Sequence, residues 1–187
     1  MSQKIFTNQN PAHLLLVDDH PMLRRGLADL LGFEIDLFVA GQASNGREAL
    51  DFLANNDVDL IILDHNMPIM NGVETLKRIR ESGIVGKVLL FTVSDNLKDV
   101  QDALELGVDG YLLKDMEPEE ILANIRRILC GELVISPSLA PVLAQAMRKP
   151  ANAESMLDLT DRELQVLHMI AEGLSNKMIG NKLGIAE

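Results

Sequence analysis

Between residues 13 and about 131, short apolar runs recur at a nearly even spacing, and that recurrence limits the fold more than any other feature of the chain. The runs fall at 13–17, 35–40, 59–63, 87–92 and 110–113. Segments of helical period lie between them, such as Leu23, Leu27, Leu30 and Leu31 after the first run and Val100 and Leu104 after the fourth. The last helix is read from Ile121, Ile125, Ile128 and Leu129, with Pro118 in its first turn. Strands written as continuous apolar runs are buried on both faces. Five such strand–helix repeats predict an α/β domain built on a doubly wound, five-stranded parallel sheet.

The core of that domain must rest on aliphatic residues, because Trp is absent and aromatics make up 3% of the 187 residues. Cys130 is the single cysteine, which excludes an intrachain disulfide, fits a reducing compartment and reads as a small buried hydrophobe. No apolar stretch approaches the length of a membrane span, and residues 1–12 read as a polar, disordered tail without a signal pattern. Cytoplasmic residence with no membrane partner is the expectation. The net charge is −11, and residues 134–187 contribute little to it, with five Lys/Arg against six Asp/Glu. Nothing in this balance makes a basic nucleic-acid-binding surface.

The pattern changes after Gly131, so the α/β domain is placed at 13–133. Ser136 and Pro137 form a helix start for a short apolar helix, Ser138 to Met147, inside a linker at 134–157. A third segment, 158–187, opens with Thr160, Asp161, Arg162 and Glu163, a capping box. Two short helices follow, stopped by Gly173 and Gly184, which is the start of an all-α helix-turn-helix.

Four charged residues directly follow apolar runs: Asp18 and Asp19 after the first, Asp64 after the third and Lys114 after the fifth. Parallel strands bring all four to one sheet edge, the carboxyl edge where open α/β folds place ligands. Thr92 ends the fourth run, so its hydroxyl faces the same crevice. An ionised carboxylate attacks phosphorus once the approaching phosphoryl charge is neutralised. Three neighbouring carboxylates repel one another, and a divalent cation reverses that; hard oxygen ligands beside a phosphate favour Mg²⁺. One charge at a few ångströms in such a site is worth about 4 kcal/mol at an effective dielectric of about 20, enough to move a loop. Asn66, Met67 and Pro68, followed by Asn71 and Gly72, read as a tight loop beside Asp64.

These residues resemble a known family. Asp18-Asp19, the Asp64-His65-Asn66-Met67-Pro68 loop, Thr92 and Tyr111-Leu112-Leu113-Lys114 are similar to the receiver pattern of two-component response regulators, whose fold is flavodoxin-like. Leu159 to Glu163 and Gly173 to Ile179 resemble the LuxR-type helix-turn-helix output domain, and the combination resembles the nitrate/nitrite-responsive branch of the family. The resemblance implies that Asp64 accepts a phosphoryl group from a sensor histidine kinase. It implies that Asp19, Asp64 and the Asn66 carbonyl ligate Mg²⁺, with Asp18 assisting. Lys114 would bind the phosphoryl group; Thr92 would swing toward it and let Tyr111 turn inward. A transcription regulator, paired into a homodimer on phosphorylation, is implied, and not an enzyme with turnover of its own.

Two residues depart from the family pattern. His65 stands where relatives usually carry an apolar residue, and Asp115 follows Lys114 where receivers in general have proline. A LuxR-type domain has four helices, the third of which enters the major groove, whereas this chain reaches Glu187 at that helix's threshold. The expectation is an incomplete domain in which promoter DNA binding is lost. The rival enzymatic reading is an Mg²⁺-dependent aspartyl-phosphate phosphatase of the haloacid-dehalogenase kind, which wants Asp-X-Asp after the first strand. A flavodoxin-like nucleotide binder is disfavoured by the acidic first loop. His13, His20, His65 and His168 share no zinc-ligand spacing, and His20 reads as a helix-start residue.

Overall fold

Each apolar run forms a strand in the computed structural model, which describes residues 6–141 and Ala144. The chain divides into two units, Met1–Ala146 and Met147–Glu187, and the described residues all belong to the first. The linker beyond Ala144 and the helix-turn-helix expected at 158–187 lie outside the described residues. In chain order the first half contains β1 (Ala12–Val17), α1 (Pro21–Gly32), β2 (Leu37–Ala43), α2 (Gly46–Leu53), β3 (Leu60–Leu63) and α3 (Gly72–Glu81). It continues with β4 (Lys87–Thr92), α4 (Leu97–Glu105), β5 (Gly110–Leu113), α5 (Pro118–Leu129) and β6 (Val134–Ile135), then a 3₁₀ turn at Pro137–Leu139.

The sheet is parallel throughout, in the order β2-β1-β3-β4-β5-β6. Successive side chains on a strand point to opposite faces, so each strand feeds two apolar layers. Leu15, Val17, Ile61, Leu63, Val88 and Leu90 pack with Ala49, Leu53, Leu76, Ile79, Val100 and Ala103 of α2, α3 and α4. The intervening Leu14, Leu16, Leu60, Ile62, Leu89 and Leu112 pack with Leu31 of α1 and with Ile121, Leu122, Ile125, Ile128 and Leu129 of α5. Full burial of one such side chain is worth about 1.5–3 kcal/mol, and both layers are almost wholly aliphatic. The doubly wound architecture is the one the repeats predict.

The details differ at the margins. Among the described residues the sheet has six strands, not five: Val134 and Ile135, at the start of the segment read as linker, pair with Gly110 and Tyr111. Ser136 extends the pairing, its amide donating to the Tyr111 carbonyl and its hydroxyl accepting from the Leu113 amide at 2.9 Å. Two residues are too short a run to show period or length in a sequence. β2 lies at the other edge and is displaced from the expected 35–40; Ile35 is exposed, and Phe38 and Gln42 face outward. An edge strand is covered on fewer sides, so its apolar run is a weaker guide. Ala12 begins β1, and Thr7 and Asn10 exchange two backbone hydrogen bonds just before it, so the tail reading fails for residues 7–12. The expected helix from Ser138 begins instead as the 3₁₀ turn. Cys130 is exposed at the end of α5 and not buried as read.

Candidate functional site

The topological switch lies between β1 and β3, and the acidic residues sit at its carboxyl end. Val17 pairs with Leu63, and each strand then continues its hydrogen bonding one residue further. The Asp18 amide donates to Ala43, the Asp64 amide to Val17 and the Lys114 amide to Thr92, at 3.1, 2.8 and 2.9 Å. The sheet ladder itself therefore fixes where Asp18, Asp64 and Lys114 emerge. Gly72 starts α3 against this edge: a Cβ there would stand 2.5 Å from the Asp64 carbonyl oxygen. Asn71 is the N-cap of α3 and accepts from the Glu74 amide at 2.8 Å, so the residues read as a tight loop also start a helix.

The side chains converge. Lys114 Nζ lies 2.7 Å from Asp18 Oδ2 and 3.1 Å from Asp64 Oδ1. All three side chains are buried, at 8%, 9% and 3% exposure. Asp18 Oδ1 accepts from the His20 amide and Asp64 Oδ1 from the His65 amide, both at 2.8 Å. The Arg24 guanidinium donates to the Asp18 carbonyl. Asp18, Asp19, His20 and Asp64 each offer a ligand atom within 4.8 Å of the others. Among the described residues Asp19 Oδ1 is buried without a hydrogen-bond partner; His20 Nδ1 stands 2.8 Å away but not in hydrogen-bonding geometry. A buried, undonated carboxylate oxygen next to two more carboxylates is the donor set a hard cation takes, and the residues present fit Mg²⁺. His20, read as a helix-start residue, does hold the N-cap position of α1, with its imidazole against this acidic group.

Thr92 is fully buried, and its Oγ1 accepts from the Ser94 amide at 3.1 Å. Tyr111 is wholly inside, and its hydroxyl donates to the Ser94 carbonyl at 3.0 Å. The inward position that the resemblance assigns to a switched state is the one it holds here. Burial pushes the Tyr111 phenol up to about 12, with the charges of Asp99, Asp95 and Asp64 adding to the effect. Asn66 lies two residues beyond Asp64 with its side chain exposed, and Asp115 is exposed beside Lys114. His65 is buried, with Nε2 3.3 Å from Asp99 Oδ2 and Nδ1 buried without a hydrogen-bond partner among the described residues.

Sequence reading missed Ser94, Asp99 and Arg24. Ser94 and Asp99 belong to the loop after β4 and the first turn of α4, and their hydroxyl–carboxylate bond is 2.7 Å. A cap-like Ser five residues before an acid is a weak signal, and the partners of Thr92 and Tyr111 arise only from tertiary packing.

The comparisons with known proteins agree with this geometry. The response regulator receiver domain family matches residues 14–126, and the family of bacterial regulatory proteins of luxR type matches residues 157–187. The chain is 47% identical over 183 residues to the nitrate/nitrite response regulator protein NarL of Escherichia coli strain K12, a match covering 97% of this chain and 85% of that protein. It is 40% identical over 177 residues to the nitrate/nitrite response regulator protein NarP of the same strain, covering 95% and 82%. A crystal structure of a LuxR-family two-component response regulator from Aurantimonas sp. SI85-9A1 shares the fold with a TM-score of 0.69 at 29% identity, over 73% of this chain and 98% of that one. The phosphatase reading gains no support from any of these matches. Among the described residues no helix is long and apolar enough to cross a membrane. The chain belongs to the two-component response regulators, combining a receiver domain with a LuxR-type helix-turn-helix segment.

Proposed function

We propose that Asp64 is the phosphoacceptor of a nitrate- or nitrite-responsive regulator, receiving its phosphoryl group from a sensor histidine kinase in an Mg²⁺-dependent reaction. The observation that carries this reading is the buried Asp64 carboxylate, with Lys114 Nζ at 3.1 Å and the undonated Asp19 Oδ1 in the same cluster. An Asp64 oxygen attacks phosphorus and forms the new O–P bond. The P–N bond to the kinase imidazole breaks, its electron pair stays on nitrogen, and a proton is taken up there. Asp18, Asp19, Asp64 and the Asn66 carbonyl would hold Mg²⁺, which supplies charge neutralisation at the phosphoryl oxygens. Lys114 is already beside the acceptor and needs only to exchange a carboxylate oxygen for a phosphoryl oxygen.

Thr92 is the switch residue in this reading. Its hydroxyl exchanges the Ser94 amide for a phosphoryl oxygen, and Tyr111, bonded to the same serine, senses the shift. The output is control of transcription, with two copies pairing on phosphorylation; residues 158–187 hold only the start of the LuxR-type domain, and promoter DNA is bound only where the recognition helix that would follow them is present. The nitrate or nitrite signal is supported by the identity to NarL and NarP.

The test is labelling by acetyl phosphate. Labelling is expected with Mg²⁺, to be lost on chelation and in Asp64→Ala; label that persists in Asp64→Ala overturns the assignment. Phosphotransfer from a nitrate-sensing kinase, faster than from an unrelated kinase, checks the signal.

A further inference from the structure

The hydroxyl of Ser136 serves the strand end that carries Lys114, and the chemistry above makes no use of it. Ser136 is 2% exposed and directly follows β6. Its amide donates to the Tyr111 carbonyl at 2.9 Å, as the next rung of the β5–β6 ladder requires. In a regular parallel pair the Ser136 carbonyl would then accept from the Leu113 amide. That carbonyl is engaged elsewhere: it accepts from the Leu139 amide at 2.9 Å and starts the 3₁₀ turn by which the chain leaves the sheet. The side-chain oxygen takes its place on the ladder and accepts from the Leu113 amide at 2.9 Å, a bond between buried groups. The hydroxyl proton goes to Met116 Sδ, 3.5 Å away. One hydroxyl therefore holds the residue before Lys114 and the residue two beyond it. On the β4 side the Lys114 amide is fixed by the Thr92 carbonyl at 2.9 Å. On the other side β6 ends at Ile135, which pairs with Tyr111, so no strand residue stands opposite the end of β5. An alanine at 136 would leave the buried Leu113 amide without its acceptor, one residue from the ammonium that lies 2.7 Å from Asp18 and 3.1 Å from Asp64.

We propose that Ser136 is a positioning residue for Lys114: its hydroxyl fixes the end of β5 so that the ammonium stands within reach of a phosphoryl group on Asp64. The proposal rests on reading Asp64 as the phosphoacceptor and Lys114 as the ligand of its phosphoryl group. It also places the point where the chain leaves the sheet in the same bonded unit as the site. Coupling between two such places is reciprocal. A phosphoryl group that engages Lys114 must strengthen the Ser136 bond by the factor that the bond contributes to phosphoryl binding.

The experiment uses the intact chain and two readouts: the affinity for beryllofluoride with Mg²⁺, a probe that stands in for the phosphoryl group, and amide hydrogen exchange at Leu113. Ser136→Ala removes the hydroxyl and Ser136→Thr keeps it. Arg126→Ala, at the amino end of the sheet, loosens the fold away from the site and serves as the control. Ser136→Ala is expected to weaken beryllofluoride binding and to speed Leu113 exchange, each by about fivefold, the scale of one hydrogen bond's net worth. Ser136→Thr is expected to stay near wild type in both, and Arg126→Ala to keep wild-type affinity despite its lower stability. Beryllofluoride should slow Leu113 exchange about fivefold in the wild-type chain and not in Ser136→Ala. Met116→Leu removes only the sulfur acceptor, so it remains measurable if Ser136→Ala does not fold; it is expected to weaken binding about twofold, because sulfur is a weak acceptor. Wild-type affinity in both Ser136→Ala and Met116→Leu, an equal loss in Arg126→Ala, a folded Ser136→Thr that binds as poorly as Ser136→Ala, or wild-type Leu113 exchange that ignores beryllofluoride would each overturn the proposal. A wild-type chain that binds no beryllofluoride and takes no label from acetyl phosphate would instead sink the acceptor reading, and exchange at Leu113 in Ser136→Ala still decides whether the hydroxyl holds the end of β5.

Discussion

Two charge clusters lie at opposite ends of the sheet, and their difference separates a joint from a site. At the amino end, Arg126 of α5 grips Asp36 with two nitrogens, at 2.8 and 2.7 Å, and also reaches Glu34. All three side chains are partly exposed. The Arg126 hydrogen bonds hold the Asp36 carboxyl below its usual range, and the same bonds push the guanidinium up. Each charged oxygen of Asp36 has a nitrogen facing it. At the carboxyl end, one ammonium serves the buried Asp18 and Asp64, and a third carboxylate, Asp19, 29% exposed as a side chain, has an oxygen with no hydrogen-bond donor among the described residues. The first cluster is satisfied by its own members and fastens α5 to the entrance of β2. In the second, two carboxylates and one ammonium are buried, a surplus of negative charge that is costly unless a cation is supplied. Stability alone does not arrange charges that way.

The largest effect should come from Lys114→Met. Removing the ammonium leaves two buried carboxylates facing each other, which costs about 3–5 kcal/mol of unfolding free energy. Millimolar Mg²⁺ should return part of that loss, because a ligand that binds only the folded state stabilises it by mass action. Urea unfolding with and without Mg²⁺ measures both. A Lys114→Met variant that unfolds at the wild-type midpoint, or that ignores Mg²⁺, breaks the contrast between the two clusters.

Arg126→Ala should cost less, about 1–2 kcal/mol, because its partners stay near water. Mg²⁺ should not rescue it. The pH dependence follows from the sign of the Asp36 shift. A carboxyl whose folded value is depressed contributes stability that is present above its unfolded value of 3.8 and is lost as pH falls through the folded value. The gap between wild type and Arg126→Ala should therefore be full at neutral pH and close below 3.8. A gap that persists in strong acid would mean that Arg126 acts by packing its stem.

The site end was the more legible of the two in the sequence, and the reason is physical. Asp18, Asp64, Thr92 and Lys114 lie at the ends of apolar runs, and a parallel sheet turns run ends into neighbours. That inference needs only strand limits. The Arg126 cluster joins residues far apart in the chain on a helix and a loop, with no local pattern to mark them. The same holds for His65 with Asp99 and for Ser94 with Tyr111. β6 and the limits of β2 were illegible for another reason: an edge strand has one neighbour and needs no long apolar run. Cys130 shows the converse error, since a residue type that is usually buried stands at an exposed helix end.

Tyr111 supplies a finer probe of the site end, because the chain has one Tyr and no Trp. Its phenol is pushed up to about 12, so the protonated form contributes stability that is fully present below the unfolded value of 10.0 and is lost as pH rises through about 12. Ultraviolet titration of tyrosinate should give a midpoint near 12 in the folded chain and near 10 in urea. Tyr111→Phe should cost about 1 kcal/mol, one net hydrogen bond to the Ser94 carbonyl. A folded-state midpoint near 10 would show that the ring is not held against the loop.

The smallest predicted effect is a gain. Ile69 has φ of 69° and is 81% exposed in the loop after Asp64, with the Met70 amide donating to the Pro68 carbonyl across it at 2.7 Å. A β-branched residue in the left-handed region is strained by about 1–2 kcal/mol. Glycine relieves that strain but loses more entropy on folding, by about 0.5–1 kcal/mol. Little buried apolar surface is forfeited, so Ile69→Gly should raise stability by about 0.5–1 kcal/mol, read as a higher urea midpoint. A lower midpoint would mean that the exposed isoleucine packs usefully and that the site end holds no backbone strain there. A higher one would add a second cost carried at this end of the sheet, in the loop that begins at Asp64, while Arg126 and its carboxylates at the other end carry none of this kind.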